Sequence, residues 1–352
     1  MKIAFVKDAM CSGRGADRAV AALMNGLAER GHDIVFVTLQ EEAVPFSVAL
    51  DGRISVLRVA ASGVAKAADE ADVIVSTGTN EILLLEGASK PTVQQFHTAP
   101  SSCFKWRHPL RNRAIRRALG NVVAVQVLLP GHLAALPSGL CARAAVIGNA
   151  PTVSPVGGER AQPEKLIVYP AALSKDKNHG LLVRSFAAVA KEFPEWVLEL
   201  YGSGKPSEAK RLECLVEKLN MRVPGLRSRV RFMGYRDLYD AYARCAFLAF
   251  PSRIEGFGLS IVEAASFGKP AIGLSSAPGV NELILDGRTG LLVRSEIAVF
   301  ADGMRRLMSD DAFRLSLGEE ARTVCRLRYD MGLVLDSWET LLDSVTRKSL
   351  SA

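Results

Sequence analysis

Between Glu86 and Glu159 the 352-residue chain contains no aspartate or glutamate, while Lys90, Lys105, Arg107, Arg111, Arg113, Arg116, Arg117 and Arg143 all fall there. One sign of charge over so long a stretch says little about fold, but it attracts an anionic partner. Other absences narrow the classes further. The six cysteines (Cys11, Cys103, Cys141, Cys214, Cys245 and Cys325) include no C-x-x-C pair. That argues against a zinc site or a disulfide framework and favours a reducing cytosol. No window approaches the roughly 18 uninterrupted apolar residues of a membrane span. The opening MKIAFV stops at Lys7, which suits a buried strand better than a signal peptide. No His, Cys and carboxylate cluster has metal spacing, and no Asp-x-Asp follows a strand.

What is present is alternation. At 352 residues two domains are expected. Apolar, β-branched runs predict strands at 2–6, 34–38, 73–76, 92–96, 122–128 and 145–147, with a helix over 16–30 that ends at Gly31. After a Pro/Gly-rich run, APTVSPVGGERAQP, strands are predicted again at 166–171, 196–201, 230–233, 247–250, 271–274 and 291–293. Strands alternating with helices imply parallel sheets covered on both faces. The expected division is a first α/β domain over 1–149, a linker over 150–164 and a second over 165–330. Residues 331–352 form a terminal helix that can pack back on the first domain. Ligands of such sheets sit at the carboxyl ends of strands, and two doubly wound domains facing a central cleft would share one.

The stretch SRIEGFGLSIVEAASFGKP places Glu255 and Glu263 eight positions apart around a Gly-Phe-Gly turn. The turn leads from a strand into a helix starting near Leu259, whose free first-turn amides favour an anion such as a diphosphate. Gly256 and Gly258 let the backbone approach it closely. Glu263 lies one turn from Leu259 on the same face, where a carboxylate can accept two hydroxyls of a ribose. Glu255, on the loop, can take hydroxyls of an attached sugar. Each residue alone reads better as part of a solvated, capped helix. As a set they mark a site.

These residues, with Gly268-Lys269-Pro270 and the run 282–293 (ELILDGRTGLLV), resemble a retaining glycosyltransferase of family 4, among the group 1 glycosyltransferases of GT-B fold. Weaker similarity covers Gly15-Ala16-Asp17-Arg18, the segment 173–179 (LSKDKNH) and Tyr201-Gly202-Ser203-Gly204. The resemblance implies that Lys177 neutralises the leaving diphosphate, Glu255 orients the donor sugar and Glu263 holds the ribose, with the amides of Gly258 and Leu259 on the phosphates. It also implies His97 near the sugar, the Gly13–Gly15 loop over the phosphates, and Gly202 and Tyr235 on the base side. The family's usual Arg before the Leu-Ser segment is missing: Ala172 precedes Leu173. Arg14 and Arg253 are candidate substitute cations.

Competing motifs are incomplete. In Gly13-Arg14-Gly15-Ala16-Asp17-Arg18 the third glycine of a dinucleotide fingerprint is Arg18, and around Gly202-Ser203-Gly204-Lys205 a P-loop would need a glycine at Glu199 and Ser/Thr at Pro206. The segment 105–117 (KWRHPLRNRAIRR) sets Trp106, Leu110 and Ala114, with Ala118 beyond, at a spacing of four among basic residues. Two readings stay open for it: a face lying on an anionic membrane or gripping an acidic acceptor, and an ordinary packed helix with a solvated basic side. Nucleic acid is disfavoured, since no recognition motif accompanies the charge. The expectation is an enzyme, cytoplasmic or peripheral at the inner membrane face, that moves a hexose from a UDP-, GDP- or ADP-sugar to a glycan or lipid-linked acceptor. No cofactor and no metal are implied. The alternatives are a non-catalytic sugar-nucleotide-binding protein, motivated by Ala172, and a nucleotide-sugar epimerase.

Overall fold

The computed structural model describes residues 1–103, 108–137, 139–156 and 163–350. They form two compact units: Met1–Thr152 together with Asp330–Ala352, and Val153–Tyr329.

In the first unit β1 (Lys2–Lys7), β2 (Asp33–Thr38), β3 (Ser55–Arg58), β4 (Val73–Ser76), β5 (Thr92–Gln95), β6 (Ala124–Val127) and β7 (Ala144–Val146) make a seven-stranded sheet in the order β3-β2-β1-β4-β5-β6-β7. Every pairing in it is parallel. Parallel strands need crossovers, and the helices that supply them cover both faces, so the inner strands β4, β5 and β6 are buried along their whole length. On one face Phe5, Phe36, Met24 and Leu27 pack with Trp338, Leu342 and Val345 of the helix Met331–Leu350. That helix therefore completes the first unit's core. Its polar side is tied to the turn after the helix Gly15–Glu29: Arg30 reaches Asp336 and Glu339 at 2.6 Å each, and His32 reaches Glu339 at 2.9 Å. The opposite face holds Val6, Ile74, Phe96, Ile115 and Leu119.

One strand escaped the sequence pattern. The β3 segment SVLR is a half-exposed edge strand with ends open to solvent, so it carries no apolar run to betray it.

In the second unit β8 (Leu166–Pro170), β9 (Val197–Tyr201), β10 (Val230–Gly234), β11 (Phe247–Phe250), β12 (Ala271–Leu274) and β13 (Gly290–Val293) form a parallel six-stranded sheet, ordered β10-β9-β8-β11-β12-β13. Relabelled from its own first strand, this is 3-2-1-4-5-6, the doubly wound order whose direction reverses between strands 1 and 4. Here that switch point lies between β8 and β11. In the first unit it lies between β1 and β4.

Candidate active site

The loops leaving β8 and β11 are tied together before any charged side chain is considered. Tyr169, fully buried on β8, donates its hydroxyl to the Lys177 carbonyl at 2.7 Å and lies 2.8 Å from Ser252 Oγ. The Arg253 amide donates to the Asp176 carbonyl at 2.9 Å. Between them Asn178 adopts a left-handed conformation (φ 53°) that ends the turn Lys175–Lys177 and starts the helix His179–Val189. The consequence is an ion pair across the switch point: Lys177 Nζ sits 2.6 Å from both carboxylate oxygens of Glu255. Lys177 is a quarter exposed and Glu255 a tenth.

A third loop fixes Glu255 from behind. Its amide donates to the Pro278 carbonyl at 2.9 Å, and a Cβ on Gly279 (φ 82°) would fall 2.4 Å from the Glu255 carbonyl oxygen. Only glycine tolerates both that backbone conformation and that approach. Gly279 had no part in the sequence reading, because a Pro-Gly pair in a loop reads simply as a turn.

Beside the pair, Gly258 (φ 80°, ψ 47°) precedes the helix Leu259–Ser266, which has no side-chain cap. The amides of Leu259 and Ser260 therefore start the helix without an intrahelical acceptor, while the Ile261 amide donates to the Gly258 carbonyl at 2.8 Å. Glu263 lies in the same helix, fully buried, and its Oε2 accepts a 2.9 Å hydrogen bond from the Tyr242 hydroxyl. It is thus anchored towards the helix Tyr239–Arg244. Gly202, at the end of β9 (φ 121°), donates its amide to Gly234 at 2.7 Å, and Tyr235 just past β10 is exposed. Ala172 leaves the position before Leu173 without a cation, and the exposed Arg253 stands two residues before Glu255.

His179 opens the helix after Lys177 with its ring against Tyr169, centroids 4.8 Å apart. Burial pushes its pKa down to about 4, so it is neutral. It therefore adds no positive charge beside Lys177.

In the first unit the loop after β1 is organised by Asp17, which accepts from the Ser12 amide at 3.1 Å and lies 3.5 Å from Lys7 Nζ. Arg14 is exposed and Gly15 begins the helix Gly15–Glu29. His97 follows β5. Both its ring nitrogens are buried without a hydrogen-bond partner among the described residues. Burial, and then the nearby Lys7 charge, push its pKa down to about 3. Close to the switch point of this sheet stands Glu81, buried, its carboxyl held above the usual range by desolvation and by Asp8. Neither Glu81 nor Asp8 belongs to a spaced motif in the sequence: each is a single acid past the end of a strand, beside Asn80 and Lys7 respectively.

The basic segment divides differently from its spacing. Lys105, Trp106 and Arg107 lie outside the described residues. In the helix Pro109–Gly120 the buried stripe is Ile115 and Leu119, while Leu110 (83% exposed) and Ala114 share the outer face with Arg113 and Arg117. Apolar and cationic groups thus face solvent together. Among the described residues no helix is long and apolar enough to cross a membrane.

Residues 156–324 match the family model described as glycosyl transferases, group 1. An exopolysaccharide phosphotransferase of Streptomyces coelicolor is 30% identical over 187 residues, which cover 52% of this chain and 19% of that protein. The N-acetylgalactosamine-N,N'-diacetylbacillosaminyl-diphospho-undecaprenol 4-alpha-N-acetylgalactosaminyltransferase of Campylobacter jejuni is 28% identical over 182 residues, covering 51% of this chain and 47% of that enzyme. The chain thus spans less than half the length of either relative. Among solved structures, HepE of Anabaena in complex with UDP and glucose superposes with a TM-score of 0.81 at 20% identity, covering 98% of this chain and 100% of that one. At that identity the likeness speaks for the fold, which is of the two-domain GT-B type. Residues 156–324, the segment that carries the Lys177–Glu255 pair, match the group 1 glycosyl transferases.

Proposed function

We propose that the protein is a retaining glycosyltransferase of family 4 that moves a sugar from a nucleotide diphosphate sugar to a glycan or lipid-linked acceptor in cell-surface polysaccharide assembly. The observation that carries this reading is the Lys177–Glu255 pair at the β8/β11 switch point, next to the uncapped helix start at Gly258. In the free protein each charge neutralises the other. A donor offers each a better partner: the diphosphate takes Lys177 and the amides of Gly258 and Leu259, and the sugar hydroxyls take Glu255. Negative charge grows on the departing phosphate as the bond to the sugar breaks, so an ammonium and amides held there in advance stabilise the transition state more than the ground state. Glu255 positions the sugar. The roles of Gly202 and Tyr235 on the base side, and of His97, Arg14 and Gly15, are those the family resemblance implies.

Glu263 requires more of the ligand. Its burial against Tyr242 means that a ribose reaches it only if the groups that cover the carboxylate move.

The acceptor class is supported by the relative from Campylobacter, whose name specifies a diphospho-undecaprenol-linked substrate. The outer face of the helix Pro109–Gly120, with Leu110 among arginines, fits a cytoplasmic protein resting peripherally on anionic lipid. Co-sedimentation with phosphatidylglycerol vesicles but not phosphatidylcholine vesicles is the expected result for that part.

The reaction itself is tested without knowing the acceptor. Incubated with UDP-, GDP- or ADP-sugars, a transferase slowly hydrolyses its donor and releases the free nucleoside diphosphate. A protein that only binds sugar nucleotides releases none, and an epimerase instead returns a stereoisomer of the donor.

A further inference from the structure

At the opposite edge of the second unit's sheet lies a cavity of about 430 Å³ that the proposed reaction does not use. Its lining comes from residues just before β11 and β12, including Ala246, Lys269 and Pro270, and from the helix Asp311–Tyr329. These are the amino ends of the strands, whereas Lys177 and Glu255 follow the carboxyl ends. The volume is within the range of small-molecule pockets.

Three cations line it, and two are accounted for. Arg314 pairs with Asp311 at 2.7 Å and donates to the Leu307 carbonyl at 2.6 Å. Arg322 lies 3.7 Å from Glu319 and donates to the Phe267 carbonyl at 3.0 Å. Lys269 is different: it is 8% exposed, and its ammonium has no hydrogen bond or ion pair among the described residues. Burial, with the charges of Arg322 and Arg314, holds its pKa below the usual lysine range. The two acids in the lining, Asp311 and Glu319, are largely exposed and stand beside the arginines. The backbone is shaped to bring the cations close. A Cβ on Gly268 (φ 70°) would fall 2.4 Å from Arg322 Nη2, and one on Gly318 would fall 2.1 Å from the Gly268 carbonyl oxygen. The remaining walls are apolar, with Tyr239 edge-on to Phe267 at 5.3 Å and Leu315 half exposed.

A lysine whose side chain is largely buried and whose ammonium has no partner is better satisfied when an anion meets it. We infer that this cavity is a second binding site, remote from the Lys177–Glu255 pair, for a small organic anion: a phosphate or carboxylate head on Lys269 with an apolar body against Tyr239, Phe267 and Leu315. It stands independently of the proposed transfer reaction.

The test is calorimetric titration of the whole protein with phenyl phosphate, benzoate and inorganic phosphate. Phenyl phosphate or benzoate should bind the wild type and Lys177→Met alike, and bind Lys269→Met about tenfold or more weakly, as the loss of one charge-assisted contact implies. Whichever of the two binds more tightly identifies the head group. Lys269→Arg should keep the binding. Without ligand, Lys269→Met should melt no lower than the wild type, because it removes an unpaired charge from a largely buried side chain. The inference is overturned if neither organic anion binds up to roughly 10 mM, if Lys269→Met binds as the wild type does, or if binding is lost in Lys177→Met instead. It is equally overturned if inorganic phosphate matches phenyl phosphate, or if Lys269→Met melts lower, since the ammonium would then be satisfied within the protein.

Discussion

Lys177 and Glu255 stand 78 residues apart in the chain and meet as a two-oxygen ion pair, Nζ 2.6 Å from each carboxylate oxygen, at the point where the second sheet reverses its strand order. The two partners are not equally dependent on each other. Glu255 is a tenth exposed and Lys177 a quarter, so removing the lysine strands the more buried charge. Lys177→Met should therefore cost about 1–3 kcal/mol in urea unfolding, and adding Glu255→Gln in that background should recover much of it. Simple additivity of the two losses would show that the pair is not an energetic unit.

Gly279 supports the site without contributing a side chain. Gly279→Ala places a Cβ 2.4 Å from the Glu255 carbonyl oxygen at a φ of 82°, so the Glu255 loop must shift. The expected outcome is a fall in donor turnover of about tenfold or more, because displacements of an ångström at a reacting centre are costly. Gly287, also at positive φ (70°) but with open space around its would-be Cβ, provides the control: Gly287→Ala should lose some stability and keep turnover. Equal turnover in both variants would count against the Gly279 contact.

Glu263 and Tyr242 separate a ligand role from a structural one. Tyr242→Phe removes the 2.9 Å bond to a buried carboxylate and should lower stability by about 1–3 kcal/mol. If Glu263 holds the ribose, Glu263→Gln should weaken nucleotide-sugar binding while Tyr242→Phe leaves it nearly unchanged. Parallel changes in stability with no change in binding would make Glu263 an anchor of its helix.

Two neutral histidines, His179 buried and His97 with both ring nitrogens buried, set a pH dependence. The pKa of His97 is pushed down to about 3 and that of His179 to about 4, against an ordinary value of about 6.5. Above pH ~6.5 neither form of the protein carries these protons. As pH falls below that, the unfolded chain binds protons that the folded one refuses, so stability is lost progressively towards pH ~4, by up to roughly 1.4 kcal/mol per pH unit for each ring. Melting temperatures of wild type, His97→Gln and His179→Gln between pH 7 and about 4.5 check this. A slope unchanged by both substitutions would remove the histidines as its cause.

The strands were legible because parallel sheets bury both faces and leave near-continuous apolar runs such as FLAF at 247–250, whereas the edge strand SVLR offered no such run. The Glu255 to Glu263 spacing and Lys177 were likewise readable as motif members. Their arrangement was not. The ion pair depends on Tyr169 and Ser252 tying two distant loops together, and the burial of Glu263 depends on a tyrosine 21 positions earlier. Contacts of that range leave no periodic trace in a sequence. On the basic helix, the spacing of four singled out Leu110 and Ala114, whereas packing buries Ile115 and Leu119.

The central claim is that the carboxyl edge of the second sheet grips a sugar nucleotide through Lys177 and Glu255. Its most direct test is titration calorimetry of the intact protein with UDP-, GDP- and ADP-sugars, repeated on Lys177→Met and Glu255→Gln. The account predicts that at least one donor binds the wild type, that its free nucleoside diphosphate loses affinity in Lys177→Met but not in Glu255→Gln, and that the sugar-bearing donor loses affinity in both. Donor affinities that are the same in all three proteins would contradict it.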